Sequence, residues 1–135
     1  MTVPNLTQQA SNSDLSGAGL RLFFNLAELW SLSQAEQLIL LGVSSRTTLN
    51  NWAAKAKSNT AVSVSRDTLE RLSLIAGIRK AVELLYPNDI ANLIMKVPNK
   101  FFGDRTILDV MLQGNVGDLY DVRRYLDANR GAHFG

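Results

Sequence analysis

Apolar residues recur at helical spacing along almost the whole chain, and the elements they predict are all helices. In "SGAGLRLFFNLAELW", Leu20, Phe23, Phe24 and Ala27 keep the helical interval, with Leu26 and Trp30 beside them. Ser33 and Glu36 open the next run, "SQAEQLILL", with the S-x-x-E pattern in which two side chains satisfy orphan amides at a helix start. Gly42 ends it, and a third helix is predicted from about Ser45 to Lys57. "KSNTAVSVS" reads as a linker, after which Ser65 caps a long helix over Arg66 to Leu85 that Pro87 stops. A short helix starts at Asn88 and ends at the Pro98-Asn99 turn; "FFGDRT" is a loop, and "ILDVMLQ" a brief helix closed by Gly114. The last helix covers Asp118 to Asn129, with Gly131 as its stop. Residues 1–13 are polar and without period, and are expected to form a disordered lead-in. The fold class is therefore all-α, with two sub-domains, 14–62 and 63–135, meeting near residue 60.

The second and third helices, joined by a glycine turn, have the layout of a helix-turn-helix. On the third, Leu49, Trp52, Ala53 and Ala56 form one buried stripe, which turns Thr47 and Asn51 to solvent with Asn50, Thr48 and Lys55 on their flanks. These short polar groups suit base edges, and an asparagine can pair bidentately with adenine in the major groove. Ser44, Ser45 and Arg46 sit at the helix start, where backbone amides can hold a phosphate. In the common version of the motif the core residues come five and eight positions after the apolar residue of the turn. Counting from Val43, those places hold Thr48 and Asn51, so this turn is lengthened by one residue.

The helix over 66–85 is apolar over an unusually wide arc: Leu69, Leu72, Ile75, Ile78, Val82 and Leu85, widened by Leu74, Ala81 and Leu84. Such an arc is buried on more than one side. Two coverings are open, a central position in the core or a second copy of the chain. Because helix-turn-helix proteins read paired half-sites, Leu74, Ile78 and Ala81 are assigned to a homodimer contact.

Composition narrows the chemistry. The 135 residues include no cysteine, so disulfides and thiolate-bound metals are excluded. No apolar run reaches the ~20 residues that span a bilayer, and no signal peptide is evident, so the expectation is a cytoplasmic protein without a membrane partner. The net charge of +2 is too small to argue for nucleic acid alone. His133 is the only histidine, and Gly17-Ala18-Gly19 lacks the length and preceding strand of a phosphate loop. No catalytic set, metal site or cofactor is expected.

"LWSLSQAEQLILLGVSSRTTLNNW" resembles the Xre-like helix-turn-helix of the Xre/MbcA/ParS antitoxin family. "RLSLIAGIRKAVELLYP" is similar to that family's connecting helix, and "VPNKFFGDRTILDVMLQGNVGDLYDVRRYLDANRG" to its C-terminal toxin-binding domain. The resemblance covers roughly residues 26 to 131. It departs at two places where members often carry glycine and proline, here Asp104 and Ile107. It implies a non-catalytic antitoxin that binds and occludes an NAD-consuming toxin of the RES-domain type. The helix-turn-helix, as a dimer, would repress the promoter of the shared operon.

In that light the last helix reads as an interface. Val116, Leu119, Val122 and Leu126 form its core stripe, leaving Tyr120, Arg123, Arg124 and Asp127 outside. Tyr and Arg are enriched in interface hot spots. Arg130, His133 and Phe134 extend the surface into "GAHFG", a slim segment able to enter a pocket built for an anionic pyrophosphate. A second reading of the chain is a stand-alone transcriptional regulator whose C-terminal half dimerises or senses a ligand. A toxin gene in the neighbouring reading frame discriminates the two.

Overall fold

A helix with apolar residues around most of its girth is stable only when wrapped. In the computed structural model, which describes the backbone of residues 3–134 and the side chains of residues 14–130, α4 (Arg66–Leu85) is wrapped by the chain itself. α1 (Val3–Leu29) packs along one side and α7 (Val116–Phe134) along another. α2 (Gln34–Leu41) and α5 (Asn88–Ile94) also lie against it, while α3 (Arg46–Lys57) packs mainly on α1. α6 (Ile107–Met111) and a single 3-10 turn, Lys100–Phe102, support α7. Every regular element among the described residues is helical, as the periodicity predicts.

The packing joins both halves of the chain. Leu20, Phe23, Leu26 and Trp30 of α1, Leu40 and Leu41 of α2, and Leu49 of α3 belong to the same apolar cluster as Leu119, Val122 and Leu126 of α7. Leu72, Ile75, Ile78, Ala81 and Val82 of α4 lie between them. The wide arc therefore has an internal explanation. Ile78 and Ala81, expected at a dimer contact, are 0% and 1% exposed within one chain, and Leu74 is half-buried. The dimer assignment of Ile78 and Ala81 is corrected accordingly: α1 and α7 already occupy that face. Leu84 escapes the core and is exposed.

Local signals set most boundaries. Ser33 accepts from the Glu36 amide while the Glu36 carboxylate accepts from the Ser33 amide, completing the predicted capping box. Ser65 caps α4 at the Thr68 amide, and the Thr68 hydroxyl donates to the Leu41 carbonyl, docking α2. The two departures from the family pattern also find a reason here. Asp104 has φ 67°, a left-handed conformation that favours glycine and that Asp tolerates better than most. Ile107 is the first residue of α6, the position where proline is preorganised.

Two expectations about the ends change. The backbone of residues 3–13, read as a disordered lead-in, continues α1; Pro4 falls in the first turn, where its missing N–H costs nothing. Gly131 does not stop α7, whose backbone stays helical to Phe134. Glycine is a weak stop unless the chain adopts the left-handed turn there.

Candidate functional site

The α2–α3 corner turns on Gly42, at φ 70°, whose amide donates to the Ile39 carbonyl. Ser45 caps α3 by accepting from the Thr48 amide at 3.2 Å. Leu49 and Ala56 are buried, with Trp52 and Ala53 half-buried, so the predicted stripe faces inward. The buried register does begin at Leu49 rather than at Thr48, the one-residue lengthening read from the sequence. Ser44, Ser45, Arg46, Thr47, Asn50, Asn51 and Lys55 are all exposed.

Gln34, the first residue of α2, braces this face. Its carbonyl oxygen accepts from Arg46 Nη1 at 3.1 Å, and its amide nitrogen donates to Asn50 Oδ1 at 3.2 Å. Two candidate contact residues are thus held by a third that periodicity did not single out. Between Glu36 and Asp67 the chain carries Arg46, Lys55, Lys57 and Arg66 and no acid, a local positive stretch that the near-neutral total conceals. Lysines at a helix C-terminus also complement its dipole, as Lys55 and Lys57 do on α3.

The residues assigned to the partner surface on α7 separate into two groups. Tyr120, Arg123 and Asp127 lie toward α4. The Tyr120 hydroxyl donates to Glu70 at 2.6 Å, and this bond, with the nearby carboxylate charge, raises its pKa above the ordinary tyrosine value. Arg123 crosses α4 at Gly77, where an added Cβ would lie 1.8 Å from its Nη1, and it pairs with Asp127 at 2.9 Å. Arg124 belongs to the outer group. It is 71% exposed, pairs with Asp121 at 2.6 Å, and borders a cleft formed with Phe101, Phe102, Tyr125, Ala128 and Asn129. Arg130 is half-buried; the side chains of His133 and Phe134 lie outside the described residues.

Phe101 and Tyr125 were not anticipated as surface features. Adjacent phenylalanines on a tight turn cannot both enter one core, and that was the available signal: Phe102 is buried while Phe101 stays 69% exposed. Phe101 stacks obliquely on Tyr125, ring centroids 4.7 Å apart, and Asn99 Nδ2 donates to the Tyr125 hydroxyl at 2.9 Å. Among the described residues no cluster of three or more His, Cys, Asp or Glu could hold a metal ion. No described helix is long and apolar enough to cross a membrane.

Comparison with known proteins finds two family matches along the chain. Residues 10–77 match the antitoxin Xre-like helix-turn-helix domain, and residues 87–131 match the antitoxin Xre/MbcA/ParS C-terminal toxin-binding domain. The chain is 42% identical over 123 residues to a Sinorhizobium fredii protein described as uncharacterized protein y4oB, covering 90% of this chain and 92% of that one. No solved structure matches it. The first match takes in most of α1, α2, α3 and part of α4, and the second holds the Phe101–Tyr125 cleft and all the described side chains of α7. With a DNA-binding helix-turn-helix and a toxin-binding domain built on one core, the chain belongs to the Xre/MbcA/ParS family of antitoxins.

Proposed function

We propose that this antitoxin neutralises a RES-domain toxin that consumes NAD, and that it represses its own operon through α3. The observation that carries the repressor half is the exposed face of Arg46, Thr47, Asn50, Asn51 and Lys55 within a stretch free of acids. Phosphates are held by the Arg46 and Lys55 side chains and by the amides at the α3 N-terminus, while the asparagines read base edges. The toxin half rests on the match of residues 87–131 to a toxin-binding domain. The protein performs no chemistry of its own in this scheme; it covers the toxin's site.

Reading two half-sites calls for two chains. The face of α4 first assigned to pairing is filled, which leaves the groove between α1 and α4 for a second copy. Leu15, Ala18, Leu22 and Leu69 line it, with Arg66 and Glu70 among its polar lining residues.

Co-expression with the protein encoded in the adjacent reading frame tests the function. Cells making that protein alone should lose NAD and stop growing, and cells making both should keep NAD and grow. The same purified antitoxin should retard DNA from upstream of its own gene in a gel-shift titration. NAD loss unaffected by the antitoxin would sink the toxin reading, and equal affinity for unrelated DNA would sink autorepression.

A further inference from the structure

We infer that the cleft framed by Phe101, Tyr125 and Arg124 is the anchor point for the toxin, and that it receives an apolar or aromatic toxin side chain against the Phe101 ring. This rests on the reading of the chain as an antitoxin and adds the surface by which it holds its partner.

Phe101 is not exposed by looseness. Asn99 Oδ1 accepts from the Phe101 amide at 2.9 Å, and the Asn99 amide donates to the Arg105 carbonyl at 3.0 Å. Gly103 and Asp104 reverse the chain in left-handed conformations. The turn is fixed from both ends, so with Phe102 in the core the Phe101 ring is held out of it. A large apolar group placed rigidly in solvent gains its burial energy only when something covers it, and little ordering remains to be done at that moment.

The surrounding chemistry selects a protein as the cover. Arg124, the guanidinium beside the cleft, is already paired with Asp121, so the site offers no unopposed charge for a phosphate backbone. The small Ala128 leaves room above the rings. Apolar exposure is also concentrated nearby in the chain. Among the described residues, nine large apolar or aromatic side chains are exposed, and four of them, Ile90, Leu93, Val97 and Phe101, fall within the matched toxin-binding segment before α6. At the cleft itself an aromatic ring stands beside an arginine, the common composition of a hot spot.

The test uses full-length antitoxin and the purified product of the adjacent reading frame, with affinity read by biolayer interferometry. Phe101→Ala should weaken the complex by ~10-fold or more, and Phe101→Tyr should stay within about 3-fold of the unmodified protein. Ala128→Arg, at an exposed position, should fill the cleft and give the same loss without touching the core. The thermal melt and promoter binding of each variant should stay those of the unmodified protein. Unchanged toxin affinity in both Phe101→Ala and Ala128→Arg overturns the proposal. So does a Phe101→Ala protein that loses only self-association, which would make the cleft a contact between copies. If the unmodified protein fails to bind that toxin, the antitoxin–toxin pairing itself falls, a result distinct from either.

Discussion

Arg71 and Gly114 stand 43 residues apart in sequence, yet both terminal nitrogens of the Arg71 guanidinium donate to the Gly114 carbonyl at 3.2 Å. The same Nη1 donates to the Ile39 carbonyl at 3.3 Å, and Nε to Asp67 at 3.0 Å. One buried side chain thus fastens the C-terminal end of α2 and the turn before α7 to α4. Carbonyls at such ends need donors, and a planar fork can serve two at once. Arg71→Ala should destabilise the fold by ~1.5–3 kcal/mol, because charged hydrogen bonds are lost and the half-buried Gly114 carbonyl loses both of its guanidinium donors. Arg71→Lys should recover little of it, since an ammonium cannot span both carbonyls. Denaturant titration of the three proteins decides the matter; a lysine variant as stable as the parent would refute the fork argument.

Gly42 and Gly77 should respond differently to alanine. At Gly42 the left-handed φ of 70° opposes any Cβ, and the new atom would lie 2.6 Å from Arg71 Nε, whose other bonds forbid retreat. Gly42→Ala should cost ~2 kcal/mol or more. At Gly77 the obstacle is the far end of Arg123, which can swing into solvent, and alanine regains ~1 kcal/mol of helix propensity. Gly77→Ala should therefore leave the melting temperature within a few degrees of the parent. A larger loss at Gly77 than at Gly42 would contradict this ordering.

DNA recognition should separate into specificity and affinity. Asn51→Ala should relax the preference at one base position, costing ~1–3 kcal/mol there. Lys55→Ala should weaken all sequences alike and flatten the salt dependence by ~1 in slope. Gel shifts on operator and scrambled DNA at several salt concentrations distinguish the two. If neither substitution alters binding, the α2–α3 unit is a hairpin with a solvated face.

Tyr120 should ionise later than an ordinary tyrosine, whose pKa is ~10. Its hydroxyl is held protonated chiefly by the hydrogen bond to Glu70. A raised folded-state value means the bond's contribution is complete below the unfolded value and fades as pH climbs through the folded one. Phenolate absorbance compared between the parent and Tyr120→Phe should isolate a component titrating above free tyrosine, and the stability difference between the two proteins should fade as pH rises through it. A difference component that titrates with free tyrosine would remove Glu70 as the cause.

Pairing through the α1–α4 groove predicts that Leu15→Glu yields a monomer. Leu15 is 58% exposed in the single chain, so the substitution spares the core and penalises only an interface that buries it. Sedimentation velocity at tens of micromolar should show the parent as a dimer and the variant as a monomer. Identical profiles would assign pairing elsewhere.

The features legible in the sequence were those decided locally. Ser33 with Glu36, Ser65, and Pro87 just beyond the end of α4 each act within a turn of their own position, and α4 runs over Arg66–Leu85 as read. The exposed set on α3 followed from one buried stripe. What escaped depended on distant partners. Periodicity shows that α4 is wrapped, but not whether α1, α7 or another molecule does the wrapping. Arg71 lies four residues before Ile75 on the apolar arc, a charge where none belongs, and its carbonyl partners are supplied by segments that fold onto it from both sides. Tyr120 and Arg123 looked like free surface because helical spacing cannot reveal that Glu70 and Gly77 sit across from them.

The continuous core also bears on how such proteins can be reassembled by recombination. An exchange placed in the extended stretch between α3 and α4 would set α1 against a foreign α4, which must then fit Leu20 and Phe23. A crossover beyond Leu85 keeps α4 with the DNA-reading half, but the incoming toxin-binding half must then bring its own equivalents of Leu119, Val122 and Leu126 to fit it. New toxin specificity on this scaffold is therefore gained more readily by changing side chains such as those around Phe101 than by trading whole halves between lineages.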